Sequence, residues 1–230
     1  MPGERYTGTD NLEMMKEAVN YNRFLTALVT GEARPGERLL DFGAGVGTFA
    51  QALAVQGHCV ECVEPDPAQR SVIESHGLRA HPSLDAVDDA SIDVAYSLNV
   101  LEHIDDDRAA IHALADKLRI GGRLIVYVPA FQALYTSMDR KVGHVRRYRK
   151  SDLRAKVLAA GLNVLRAEYV DSLGFLATLA YRMLGSDTGD IDRNALRTYD
   201  RYVFPVSRAA DGVLRYVLGK NALVIARRDA

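Results

Sequence analysis

Apolar and polar positions follow two different periods along this chain. Met14, Ala18, Tyr21, Leu25 and Leu28 recur at helical spacing, and the stretch 31–36, with Pro35 between two glycines, closes that helix. From Leu39 onward, short apolar runs of strand length alternate with helical stretches. The pattern predicts strands at 39–42, 59–63, near 78–80 and from Asp93, with helices over 46–56 and 67–76 between them. Ile111, Leu114 and Leu118 mark a helix over 105–118 whose first turn is rich in aspartate, and Gly121-Gly122 leads into a fifth strand. Ser151 and Asp152 can cap a helix to Ala160, which Gly161 ends; 162–170 reads as strand six and 222–226 as the last strand. Regular β–α alternation predicts an α/β fold, a mostly parallel sheet with helices on both faces and right-handed crossovers.

An insertion, 171–220, separates the last two strands. Leu173, Leu176, Leu179, Ala180, Met183 and Leu184 make one strongly apolar helical stretch, and a second runs from about 191 to 218 around Pro205. The expectation is a helical cap on the domain; a cap that shapes an acceptor pocket or touches a lipid surface is the sharper alternative. The organisation is thus one domain over 1–230: an N-terminal helical cap (1–37), a ligand-binding α/β core (38–170), the helical insertion (171–220) and a final strand (221–230).

Composition adds limits. A chain of 230 residues that is 48% hydrophobic can bury one substantial core, and a formal net charge of −1 gives no global attraction to nucleic acid or anionic membranes. The stretch 1–5 lacks an apolar signal core, and no apolar run approaches the roughly 20 residues that span a bilayer, so a cytoplasmic protein is expected. Cys59 and Cys62 form a C-x-x-C on a predicted strand, where residues three apart face opposite ways; they read as separately packed small hydrophobes.

The chemistry centres on Asp41-Phe42-Gly43-Ala44-Gly45-Val46-Gly47, an acid and a glycine-rich turn between strand one and its helix. Three alternate glycines permit positive φ and let backbone N–H groups approach a ligand. Strand two ends in Glu64, placed to accept hydrogen bonds from ribose hydroxyls. The dinucleotide pattern G-x-G-x-x-G fails here, because Thr48 stands where its third glycine would fall, and Asp41 is a poor neighbour for a diphosphate. It suits a cofactor carrying an ammonium and a sulfonium.

These residues resemble the first motif of the class I S-adenosylmethionine-dependent methyltransferases. The run 93–104, with its Leu101-Glu102-His103 turn, looks like that family's fourth strand, and 118–129 like its Gly-Gly step into strand five. The resemblance implies a Rossmann-like, seven-stranded fold whose last two strands pair antiparallel, S-adenosylmethionine as cofactor and S-adenosylhomocysteine as product. It implies Asp41, Gly43, Ala44, Gly45 and Gly47 against the methionine and ribose parts, and Glu64 on the ribose. Pro65, Ser83 and Leu84 would flank adenine, and Asn99 and Val100 would meet the methionyl group. Tyr21 and Asn22, with Arg5 and Tyr6, would close the pocket. No metal is required.

After strand five, the basic loop 138–150 contains Gly143-His144-Val145-Arg146-Arg147-Tyr148, a string resembling one subgroup of these enzymes, as do Tyr135, Asp139 and the closing Gly219-Lys220-Asn221. Loops at the carboxyl ends of strands line the ligand crevice, so the acceptor belongs here. His144, Arg147 and Tyr148 are the candidate catalytic set. The arginines either bind a carboxylate or phosphate of the acceptor or form ion pairs with Asp139 or Asp152 that fix the loop. His144, ahead of His103, is the candidate general base for a hydroxyl acceptor. The expected function is methyl transfer to a small-molecule or lipid-linked acceptor, with O-methylation of an anionic or polar group foremost; nucleic acid is not an expected partner, and the helical insertion is a candidate for peripheral membrane contact. A non-catalytic cofactor-binding protein and a nicotinamide-dependent oxidoreductase are the alternatives.

Overall fold

The computed structural model describes residues 17–184 and 192–229. Helix α1 (Val19–Thr30) leads into β1 (Arg38–Phe42), α2 (Thr48–Val55), β2 (Cys59–Val63), α3 (Pro67–Ser75), β3 (Arg79–His81) and β4 (Ile92–Leu98). Then follow α4 (Asp107–Lys117), β5 (Leu118–Pro129), a short α5 (Ser137–Lys141), α6 (Lys150–Ala159) and β6 (Asn163–Val170). The insertion contains α7 (Ser172–Leu184), α8 (Arg193–Thr198) and α9 (Phe204–Leu214), before β7 (Asn221–Arg227). The expected start of the first helix at Met14, and Arg5 and Tyr6 as pocket residues, lie outside the described residues.

The seven strands form one sheet in the order β3-β2-β1-β4-β5-β7-β6. β1 to β5 are parallel, and β7 runs antiparallel to both β5 and β6, between them. Alternation along each strand sends neighbours to opposite faces. Leu40, Ala95, Leu124 and Val126 pack under α4 and α6 through Ile111, Leu114, Leu153 and Val157. Leu39, Val94, Ile125 and Tyr127 pack under α1, α2 and α3 through Leu25, Leu53 and Ile73. Fully burying each such aliphatic side chain is worth about 1.5–3 kcal/mol. Cys62 is buried and Cys59 exposed, as strand alternation requires.

Two expectations need correction. The glycine pair does not precede strand five; it lies inside it. Register steps from Ile92↔Leu118 to Val94↔Arg123, so residues 119–122 bulge out of the ladder, with Gly121 at φ +80° and no room for a Cβ at Gly122, which would stand 2.8 Å from the Arg119 carbonyl oxygen. The second half of the insertion is a helical run as expected, but it ends at Leu214 and is not uniform. A π turn, Tyr199–Val203, joins α8 to α9, and Pro205 falls in the first turn of α9, where its missing N–H costs little.

Two buried aspartates of the insertion fix its helices, one to α1 and one to the start of α7. Asp200 accepts from the backbone N–H groups of Asn20 and Tyr21, both at 2.9 Å, and so caps α1, whose own Ala18 has no capping side chain. Asp211 accepts from the N–H groups of Asp171 and Ser172, also at 2.9 Å, at the start of α7. Among the described residues, no helix is long and apolar enough to cross a membrane.

Candidate active site

A cavity of about 250 Å³ opens at the carboxyl ends of β1 and β4. Its floor is the turn after β1. There the N–H groups of Gly43 and Ala44 donate to the Val63 carbonyl at 2.9 and 3.1 Å, and Gly43, Gly45 and Gly47 all have positive φ. Glu64 locks the turn from the end of β2: its Oε2 accepts from Gly45 N at 2.8 Å and its Oε1 from Asp66 N at 2.9 Å. Burial raises the Glu64 pKa, and the two N–H groups oppose that rise.

Asp41 is buried beneath the same turn, and its Oδ2 has no hydrogen-bond partner among the described residues. Burial pushes its carboxyl up to about 7, and Glu64 adds to the shift. A buried carboxylate oxygen without a donor, lining a cavity whose floor is glycine backbone, fits a ligand with a cationic group.

Of the residues expected to hold cofactor, Tyr21, Asn22, Asp41, Gly43, Ala44, Gly45 and Asn99 line this cavity. Asn99 sits in the left-handed region (φ 57°) and its Nδ2 donates to the Tyr21 hydroxyl at 3.2 Å. Gly47, Glu64, Pro65, Ser83, Leu84 and Val100 do not reach the cavity wall. Val100 packs against Gly43 instead, and Glu64 acts through the Gly45 amide.

The opposite wall comes from the turn after β4, α5 with the loop after it, and the start of β7. The His144 ring bonds Asp139 (Nδ1···Oδ1, 2.7 Å), and its Nε2 stands 3.7 Å from Oε1 of Glu102. Arg147 donates to both oxygens of Asp139, from Nε at 2.8 Å and Nη2 at 2.9 Å. Although burial opposes it, these donors from His144 and Arg147, with the Thr136 N–H, hold the Asp139 carboxyl well below the usual carboxylate range. An ionised carboxylate only accepts, so Nδ1 of His144 is the donor in this bond. Val145 N donates to the Glu102 carbonyl at 2.8 Å and Tyr135 to the His144 carbonyl at 2.6 Å, which ties the loop to the turn after β4.

The three catalytic candidates therefore separate. His144 and Arg147 line the cavity. Tyr148 does not: it is buried in the core under α4, and its hydroxyl donates to Asp107 Oδ2 at 2.7 Å, with Leu101 O also within 3.0 Å. Arg146 pairs with Asp107 at 3.1 Å, a partner neither alternative foresaw, and Arg147 with Asp139 as the loop-fixing alternative expected.

Sequence reasoning gave no role to three residues of this wall. Glu102 is fully buried and neither carboxylate oxygen has a hydrogen-bond partner among the described residues; burial pushes its pKa up to about 8. Lys220 and Asn221 reach the cavity from the start of β7. The nearest sequence signal was their place beside a glycine at the mouth of a strand. His103 packs edge-on to His144 at 4.7 Å, and burial first, with the neighbouring His144 second, lowers its pKa to about 4, so it stays neutral.

Residues 15–167, more than half the chain, match the sequence model of a methyltransferase domain. A ubiquinone biosynthesis O-methyltransferase of Xylella fastidiosa is 36% identical over 101 residues, 40% of this chain and 41% of that protein. The chain thus spans about two fifths of this curated relative, 41% of its length. Among solved structures, a SAM-dependent methyltransferase of Thermotoga maritima superposes with a TM-score of 0.65 at 15% identity, covering 97% of this chain and 98% of that one. Geranyl diphosphate C-methyltransferase of Streptomyces coelicolor, solved with S-adenosyl-L-homocysteine, gives 0.63 at 15% identity over 90% of this chain and 76% of that one. At such identities the structural matches establish the fold.

Proposed function

This chain belongs to the class I S-adenosylmethionine-dependent methyltransferases, and from that premise we propose that it methylates an oxygen of a small anionic or polar acceptor, free or lipid-linked, with His144 as general base. S-adenosylmethionine supplies an electrophilic methyl group when bound. Asp41 is the residue for its ammonium, the 43–45 backbone for its close approach, and Glu64 keeps that backbone in place. A large part of the rate in such a site comes from holding the reactants at attack distance. A hydroxyl acceptor also has a proton to lose.

The observation that carries the oxygen reading is the 2.7 Å bond between His144 and Asp139. It orients the ring through Nδ1 and leaves Nε2 outside that bond, the orientation a base needs, and the neutral form of His103 beside it adds no competing charge. The ubiquinone-biosynthesis relative is named as an O-methyltransferase, which agrees. A lipid-linked acceptor is supported by the insertion: Leu176 and Met183 on α7 and Val206 and Val213 on α9 are 55–78% exposed.

The test is a panel of phenols, carboxylic acids and amines scored by S-adenosylhomocysteine release. Hydroxyl acceptors should turn over, and His144→Ala should cut kcat by about 100-fold or more with cofactor affinity unchanged. Turnover confined to amines, or an unaltered kcat in the variant, overturns the reading. Co-sedimentation with phosphatidylcholine vesicles tests the lipid arm.

A further inference from the structure

The acceptor wall contains three basic side chains that line the cavity besides the neutral His103, and two of them are committed. Arg147 is neutralised by Asp139, and the same carboxylate fixes His144. Lys220 is different. Among the described residues its ammonium has neither an ion pair nor a side-chain hydrogen bond, although it lines the cavity.

Lys220 is also held rigidly. Its N–H donates to the Asp171 carbonyl at 2.9 Å, and its carbonyl accepts from Ala130 N at 2.8 Å. Gly219 before it lies so close to β6 that a Cβ would stand 2.6 Å from Val170 N and 2.8 Å from Val170 C. Asn221 after it pairs with both Pro129 and Val170. The segment 219–221 is therefore clamped between two strands, and the direction in which Lys220 leaves the backbone is set by the sheet.

Asn221 supplies an independent observation. It lines the same cavity, is 3% exposed, and its amide Nδ2 has no partner among the described residues. A buried amide donor left unmatched costs stability unless something accepts from it. The two carboxylates nearest in charge to Lys220 are occupied: Asp171 accepts from Gly174 N and from the Tyr199 hydroxyl, and Asp139 from Arg147 and His144. Burial lowers the Lys220 pKa, the condition an incoming anion relieves.

We propose that Lys220 and Asn221 together form the binding point for the anionic group of the acceptor, a carboxylate or a phosphate. The proposal rests on the reading that this cavity receives a methyl acceptor, and it moves anion recognition from Arg147 to Lys220. Arg147 becomes a positioning residue for Asp139 and His144.

The experiment is calorimetric titration of protein saturated with S-adenosylhomocysteine, using benzoate, the isosteric neutral benzamide, and phenyl phosphate. Wild type should bind benzoate about tenfold or more tightly than benzamide, a difference of about 1.4 kcal/mol. The tighter of benzoate and phenyl phosphate identifies the preferred anion. Lys220→Met should erase the discrimination while S-adenosylhomocysteine affinity stays within about twofold, Lys220→Arg should retain part of it, and Asn221→Leu should weaken both anions. Equal binding of benzoate and benzamide, no binding of either anion, or discrimination that survives Lys220→Met overturns the proposal. Anion-selective binding without methyl transfer to any hydroxyl would instead sink the O-methylation reading and leave this site standing.

Discussion

Arg147 grips Asp139 through two parallel hydrogen bonds, 2.8 and 2.9 Å long, with both side chains essentially out of solvent. A guanidinium so committed has little left to offer a ligand. Its effect passes through the carboxylate to His144, which makes one chain of contacts from the buried arginine to the imidazole in the cavity.

Asp139→Asn breaks that chain at its centre and leaves Arg147 buried without a counter-charge. Loss of a buried ion-pair partner typically costs about 3–5 kcal/mol. Urea denaturation should show a loss of that order, and kcat should fall with it. Arg147→Lys keeps the charge and removes the fork, so kcat should drop while acceptor KM changes little. A rise in KM alone would make Arg147 a binding residue.

Glu102 predicts a pH dependence. Its folded pKa of about 8 lies above the unfolded value of about 4.3, so between them the native state holds a proton the unfolded chain has lost. Stability from this group therefore falls as pH rises through that window. Asp41, at about 7, acts in the same direction over a narrower range. Glu102→Gln has nothing to titrate: its Tm should decline less from about pH 5 to about pH 8 than that of wild type, and at the upper end should be higher by several degrees. Parallel Tm curves for the two proteins would show that Glu102 is ionised in the native state.

Gly43 combines φ +78° with the close approach of Val100, whose Cγ2 would lie 2.6 Å from an added Cβ. Gly43→Ala should weaken S-adenosylmethionine binding by about tenfold or more and lower Tm. Adding Val100→Ala should recover part of both losses, since it removes the clash and leaves the backbone strain. Strict additivity of the two changes would refute this account of the turn. Gly45 is less crowded, its added Cβ meeting only Gln69 Oε1 at 3.3 Å, so Gly45→Ala should be milder.

Glu64→Ala removes the acceptor that holds the Gly45 amide. Cofactor affinity should fall by about 1–3 kcal/mol by calorimetry with the sheet intact. An unchanged Kd in the folded variant would remove Glu64 from the site.

The floor of the candidate site was legible in the sequence because it is local: an acid, a glycine turn and the end of the next strand, Asp41 to Glu64, close in the chain and in space. Most strands were legible for the same reason, being apolar runs of the right length, while β3 (Arg79–His81) and β6, which carries Arg166 and Glu168, were placed by the β–α alternation around them. The beginning of β5 was misread because Gly121 and Gly122 look like a break and are a bulge. The caps supplied by Asp200 and Asp211 bridge about 180 and 40 residues, and no local pattern announces them. For that reason too, the opposite wall of the cavity was not legible. Glu102, Asp139 and Lys220 converge from three separate connections, and the sequence left open whether Arg147 meets an acceptor or is cancelled by Asp139, a choice that only the fold makes.

The place of β7 has a consequence for how the molecule is made. It is the last of the seven strands in chain order, yet it lies inside the sheet between β5 and β6. Until residues 221–227 arrive, β5 offers an open edge carrying Leu124, Ile125 and Val126, the kind of unpaired edge that recruits other chains. Folding of β1 to β5 can run ahead, since each of those strands already has a neighbour that precedes it in the chain or follows it closely. Lys220 and Asn221 take their places only when β7 docks. A chain arrested before that step has its glycine turn but lacks the Lys220–Asn221 wall of the cavity, so the site proposed here for an acceptor is completed in the final act of assembly.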